Sequence, residues 1–81
     1  MFEKTVKVNA TIYYTMDRKH PDFQYVKDTK RELSYMDTYI FDVGMYPTKE
    51  DRERHMKNDL RLVAGGGYDS KHIHNVKFVF E

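Results

Sequence analysis

From Thr5 to Met16 apolar and mostly polar side chains alternate without a break. Val6, Val8, Ala10, Ile12, Tyr14 and Met16 hold the even positions, and Thr5, Lys7, Asn9, Thr11, Tyr13 and Thr15 the odd ones. A period of two over this length predicts a long strand with its even face in the core and its odd face in water. Asp17 to Pro21 is a polar break. Residues 34–43 predict a second strand, because Tyr39, Ile40, Phe41 and Val43 are β-favouring types. Large apolar groups occupy both of its faces, with Tyr35, Tyr39, Phe41 and Val43 on one and Met36 and Ile40 on the other. Gly44 to Pro47 ends it. Val76, Phe78 and Phe80 alternate with Asn75, Lys77, Val79 and Glu81 in a C-terminal strand.

The period changes to that of a helix over residues 48–64. Thr48 stands as N-cap with Asp51 three residues on, close to a capping box, and Met56, Leu60, Val63 and Ala64 form the apolar stripe. Gly65-Gly66-Gly67 stops the helix. Residues 22–33 fit two patterns: a short helical stripe through Phe23, Val26, Thr29/Lys30 and Leu33 after Pro21, or a strand through Phe23 and Tyr25 that turns at Asp28–Glu32. The expected architecture is α+β, a small antiparallel sheet of three or four strands with one main helix packed on one face. One helix covers one face, so a central strand at Tyr35–Val43 would present apolar groups on the uncovered side.

The 81 residues predict a single domain, 1–81, with a modest core. The chain has no cysteine, which excludes disulfides and thiolate metal sites. With neither available as a staple, and with the two-faced strand at 34–43, a partner or a homodimer is expected. No apolar run reaches membrane-spanning length, and Met1-Phe2-Glu3-Lys4 does not resemble a signal peptide. A cytoplasmic protein with no membrane contact is therefore expected. The 14 basic and 13 acidic residues leave a net charge of +1, far from the strongly basic balance of most nucleic-acid-binding domains. Leucine and alanine are scarce beside tyrosine, lysine, aspartate and phenylalanine. AT-rich coding writes this bias, and small viral and mobile-element proteins share it.

Candidate chemistry is sparse. His72-x-His74 has a spacing that chelates zinc or copper when a third ligand such as His55, His20 or Asp69 completes the set. Without that ligand the pair reads as a polar strand edge, so no metal and no cofactor are expected. The three glycines follow a helix instead of preceding one, unlike a phosphate-cradling loop. Asp37 and Asp42 are five residues apart and fall on opposite strand faces, which rules them out as an acid–base pair. Nothing points to an enzyme. The charged helix reads as a solvated face with Glu50–Arg54 and Glu53–Lys57 in the favourable i,i+4 order. Lys49 and Arg52 extend the apolar stripe toward the sheet's edge, and Leu62 points away from it.

A basic-aromatic segment runs through Tyr13, Tyr14, Arg18, Lys19, His20, Phe23, Tyr25, Lys27, Lys30 and Arg31. Such residues stack bases or serve as protein hot spots. Asp17, Asp22, Asp28 and Glu32 dilute the field that a polyanion needs. The expectation is a non-catalytic protein-binding module, a small inhibitor or modulator of a larger macromolecule, with Tyr13, Arg18, Tyr25, Tyr35, Tyr39, Arg52 and Leu62 as candidate contacts. The second reading is a single-stranded RNA- or DNA-binding domain that uses sheet aromatics and a local basic patch.

Overall fold

The computed structural model describes residues 4–67 and 70–81. Its elements are β1 (Thr5–Met16), α1 (Phe23–Val26), β2 (Leu33–Asp42), α2 (Lys49–Ala64), a 3-10 turn (Ser70–His72) and β3 (Ile73–Phe80). The strands form one antiparallel sheet in the order β2-β1-β3. The α+β architecture with one main helix is the one the periodicity predicts. The central strand is β1, not the 34–43 segment. β1 offers both of its edges: even residues such as Ala10 and Ile12 meet Asp37 and Tyr35 of β2, and odd residues such as Thr11 and Tyr13 meet Val79 and Lys77 of β3. β2 is left with one free edge, and Val43 lies just past its end.

The even face of β1 is the floor of the core. Ala10, Ile12 and Met16 are buried, with Phe41 from β2 and Ile73 from β3 beside them. Met56, Leu60 and Ala64 of α2 press onto this floor. They lie along an i,i+4 row, one of the ridges through which a helix packs. Flanking rows reach the outer strands. Lys57 and Arg61 lie over the Phe78 ring, 5.9 and 5.1 Å from its centroid. On the β2 side, Asp59 accepts the Tyr39 hydroxyl, and His55 sits edge-on to Tyr39 and Phe41. Val63 corrects the sequence reading. It continues the His55–Asp59 row one turn beyond Tyr39 and is 43 % exposed, so it is not part of the buried stripe. Glu53 pairs with Lys49, and Arg54 with Asp51. Among the described residues these replace the Glu53–Lys57 and Glu50–Arg54 pairings.

Both helix ends are fixed as the sequence indicates. The Thr48 hydroxyl accepts the Asp51 amide at 3.1 Å. At the other end Gly66 and Gly67 adopt φ of +79° and +86°, and their amides bond back to the Val63 and Leu62 carbonyls. A side chain at Gly66 would also meet the Pro21 ring at 3.0 Å. The preceding residue, His20, is buried. Its Nε2–H donates to the Ala64 carbonyl at 2.6 Å, and its Nδ1 accepts the Asp22 amide at 2.9 Å. One imidazole thus satisfies a terminal helix carbonyl and anchors the loop after β1. Of the two patterns for 22–33, the helical one holds for its first residues only. α1 is a single turn, closed by Lys27 at φ 56°, and an Asp28 side chain accepts the Lys30 amide in the bend that follows.

These positions separate by burial. Leu60→Ala should lose about 2–5 kcal/mol of stability, the range for truncating a buried leucine. Leu62→Ala and Val63→Ala should each change it by less than about 0.5 kcal/mol, as at surface sites. His20→Ala should cost about 1–3 kcal/mol by orphaning the Ala64 carbonyl. Denaturant melts of the four variants check this order.

Candidate functional site

Among the described residues no element covers the face of the sheet away from α2. Thr5, Lys7, Asn9, Thr11, Tyr13 and Thr15 from β1 meet there with the even residues of β2 and with Lys77 and Val79 of β3, following the register of the pairs. Met36 and Ile40 project from β2 onto this face and are 64 % and 70 % exposed. Thr11 stands between Met36 on one side and Val79 on the other, which gives an apolar row across the strands. Around it the polar groups are mostly neutral. The Thr38 hydroxyl donates to Asn9 at 2.8 Å. Lys77, opposite Tyr13, reaches Glu32 at 3.8 Å, and a concavity of about 340 Å³ lies among Tyr13, Glu32, Lys77 and Val79.

The same residues of β2 carry the sheet's free edge. The Val43 amide bonds to the Lys4 carbonyl in the register that pairs Thr5 with Asp42. In an antiparallel ladder the residues that bond to the neighbour alternate with those that face outward. Odd residues of β2 therefore bond to β1, while Ser34, Met36, Thr38, Ile40 and Asp42 turn their amides and carbonyls outward. Two of these groups are met locally. The Thr38 amide is capped by Asp37 Oδ1 at 2.8 Å, and the Asp42 carbonyl accepts the Met45 and Tyr46 amides. Among the described residues Ser34, Met36 and Ile40 find no backbone partner for their outward groups. No proline or lysine protects this edge, and the β1–β2 register runs without a bulge. The opposite edge, β3, is shorter and is interrupted near Asn75, where φ is +55° and the register shifts.

The structure disperses the sequence candidates. Tyr13 lies on the open face. Tyr35 is at the rim of the helix face, opposite Ile12. Tyr39 is on the helix side as well, half-buried, with its hydroxyl given to Asp59. Burial, and after it that carboxylate, push the Tyr39 phenol above its ordinary range. Arg52 donates to the Tyr46 carbonyl at 2.7 Å. Tyr25 is 78 % exposed on α1, and Leu62 is 48 % exposed on the outer side of α2. Arg18 is exposed in the loop after β1. Sequence reasoning chose Tyr35 and Tyr39 and not Met36 and Ile40, because parity sorts the two pairs onto opposite faces of β2 without saying which face the helix covers.

His72 and His74 do converge, but on a carboxylate the sequence did not single out. His72 Nδ1 lies 3.2 Å from Asp17 Oδ1, and His74 Nε2 lies 3.0 Å from Oδ2. The Lys19 amide donates to Oδ1 at 2.9 Å. The bond from His74, with the Lys19 amide and His72 adding to it, holds the Asp17 carboxyl at about 2 against its ordinary 3.8. The ligands first considered lie elsewhere: His20 in the core, His55 against Tyr39, Phe41 and Tyr46, and Asp69 outside the described residues. Among the described residues no three His, Cys, Asp or Glu side chains are arranged to hold a metal ion. No helix among them is long and apolar enough to cross a membrane. The Asp17 group acts as a clasp between the end of β1 and the start of β3, reinforced by the Asp17 amide on the His72 carbonyl.

Compared with known protein families, curated proteins and solved structures, the chain matches none of them.

The clasp predicts an acid-side effect of definite sign. A carboxyl whose pKa falls on folding stabilises the fold above its unfolded value, and the contribution disappears as pH falls through the folded value. The stability gap between the wild type and Asp17→Asn should be full above about pH 4 and should close between pH 4 and 2. Denaturant melts of both proteins across that range measure it.

Proposed function

We propose that the protein is a non-catalytic protein-binding module that engages an extended segment of its partner along β2. The observation that carries this reading is the coincidence on one strand of an unprotected ladder edge and two exposed apolar side chains, Met36 and Ile40. A strand added at Ser34–Ile40 would gain backbone hydrogen bonds from the edge. Its side chains on the open face would cover Met36 and Ile40. The ladder supplies affinity, and the two apolar anchors supply selection.

The charge pattern favours a protein over a nucleic acid at this surface. The described cations of the open face include Lys7 and Lys77, and Lys77 is held by Glu32. Binding to a phosphate backbone rests on several cations acting together. Threonine, asparagine and apolar side chains suit a neutral peptide better. A partner strand from a larger macromolecule would place this small domain at that molecule's surface, where it modulates by occlusion.

Lysine on an edge strand is a means by which natural sheets prevent strand addition. Met36→Lys and Ile40→Lys should therefore each weaken partner capture at least about tenfold, equivalent to about 1.4 kcal/mol. Their melting curves should stay close to the wild type, since both sites are exposed. Leu62→Ala on the outer side of α2 should bind as the wild type does. The check is quantitative capture from the native cell, with sedimentation run alongside to identify a second copy as the partner. Capture that is unchanged in both lysine variants, or binding that follows oligonucleotide length and falls steeply with salt, would overturn the reading.

A further inference from the structure

The outward residues of β2 are complementary to themselves. Ser34, Met36, Thr38, Ile40 and Asp42 turn their backbone groups away from β1, and the Met36 and Ile40 side chains stand exposed on the open face. The strand carries two carboxylates, Asp37 and Asp42, and no cation. A strand added at this edge changes register in steps of two residues, because a shift by one sends its side chains to the opposite face. Two copies related by a twofold axis normal to the sheet present this edge to each other in antiparallel sense, with α2 on the same side in both.

The position of the axis sets the pairs. With the axis at Thr38, Met36 of one copy lies across Ile40 of the second copy, and Ile40 across its Met36. Ser34 lies across Asp42, and on the helix side Tyr35 lies across Phe41 and Asp37 across Tyr39. Each exposed apolar side chain then has an apolar partner, and no carboxylate faces another. Neighbouring positions fail on one count or the other. An axis at Asp37 sets two carboxylates directly opposite, which destabilises a cross-strand pair. An axis at Met36 puts Ile40 against Glu32, and an axis at Tyr39 puts Met36 against Asp42. One contact gives way in the favoured register. The Thr38 amide, capped by Asp37 Oδ1 at 2.8 Å, exchanges this local bond for the Thr38 carbonyl of the second copy. The Asp42 carbonyl keeps the Met45 and Tyr46 amides and ends the ladder.

We propose that the protein pairs with a second copy of itself, β2 against β2 in antiparallel register about Thr38, so that two three-stranded sheets become one continuous sheet. This rests on the reading of β2 as an edge that accepts a strand, and it names that strand. Main-chain bonds supply the ladder. Met36 and Ile40 of both copies pack into one apolar cluster around the axis on the open face. A strand from another protein enters by displacing the second copy from the same edge.

The chain has no cysteine, so a single introduced thiol reports the register. Thr38→Cys sets two thiols across the axis at the spacing of directly opposed strand residues, about 5.5 Å between Cα atoms, which is within disulfide reach. Ser34→Cys, also exposed on this edge, separates them by the length of the ladder from Ser34 to Asp42, about 27 Å. Under mild oxidation Thr38→Cys should give a covalent dimer and Ser34→Cys should stay uncrosslinked. Sedimentation of the wild type should show a concentration-dependent monomer–dimer equilibrium. Ile40→Lys should weaken it at least about tenfold, with an unchanged melting curve because the site is exposed. Mixing a Met36→Lys/Ile40→Lys copy with a Met36→Glu/Ile40→Glu copy should restore the pair that neither forms alone, since opposite charges then meet at each crossing of positions 36 and 40. A wild type that stays monomeric to about 1 mM, equal crosslinking of both cysteine variants, or a dimer that Ile40→Lys leaves intact would overturn the proposal. A monomeric wild type whose partner capture is still lost in Met36→Lys and Ile40→Lys removes the self-pairing and keeps the binding module. A dimer crosslinked through Thr38→Cys whose capture of other proteins ignores those substitutions keeps the self-pairing and removes the module.

Discussion

Everything in the fold is placed by reference to β1. Its twelve residues give hydrogen bonds on one side to β2 and on the other to β3, and its even side chains are the surface on which α2 lies. A shift of β1 by one residue would exchange Ala10, Ile12 and Met16 for Asn9, Thr11 and Thr15 beneath the helix. The polar-apolar alternation of this one segment therefore fixes the register of both neighbours, the seat of the helix and the composition of the uncovered face.

The remaining features adjust the ends of that plan. At one end His20 and Gly66 let the loop after β1 come against the helix terminus, and Asp17 gathers His72 and His74 from the start of the neighbouring strand β3. The result is a tightly bonded corner. Along the side, no described helix or strand lies beyond β2. Its odd residues are drawn to the core through Tyr39 and Phe41, while Met36 and Ile40 among its even residues stay exposed. The bonded corner and the open edge thus have different physical origins, one in local bonding of a loop and the other in an unfinished ladder.

The legible parts of the sequence were those governed by a single period. The β1 and β3 alternations, the Thr48 cap and the glycine stop all depend on near neighbours, and each appears where its pattern indicates. The parity of Met36 and Ile40 was legible in the same way. Strand order was not, because a hydrophobic pattern states which face is buried and does not state how many neighbours a strand has. That is why 34–43 reads as central when it is an edge. Val63 shows a second limit: its place on the helical wheel is near the stripe, but burial depends on where the sheet beneath it ends. The Asp17 cluster joins positions 55 and 57 residues apart, a proximity that no local pattern encodes. The basic-aromatic segment failed as a unit for a related reason. A strand sends Tyr13 and Tyr14 to opposite faces, and His20 turns inward.

The pairing of β1 with β3 also shapes how the chain acquires its structure. Thr15 and His74 touch across 59 steps of sequence, whereas β1 and β2 are joined by the nearer stretch 17–32, which carries α1. Contacts of large sequence separation carry a high closure entropy and slow folding. A chain emerging from the ribosome can zip β1 to β2 early, but the second edge of its central strand stays open until the last strand has been made. During that interval the nascent protein exposes two adhesive edges instead of one, and it is in this period that mispairing with neighbouring chains competes with correct closure.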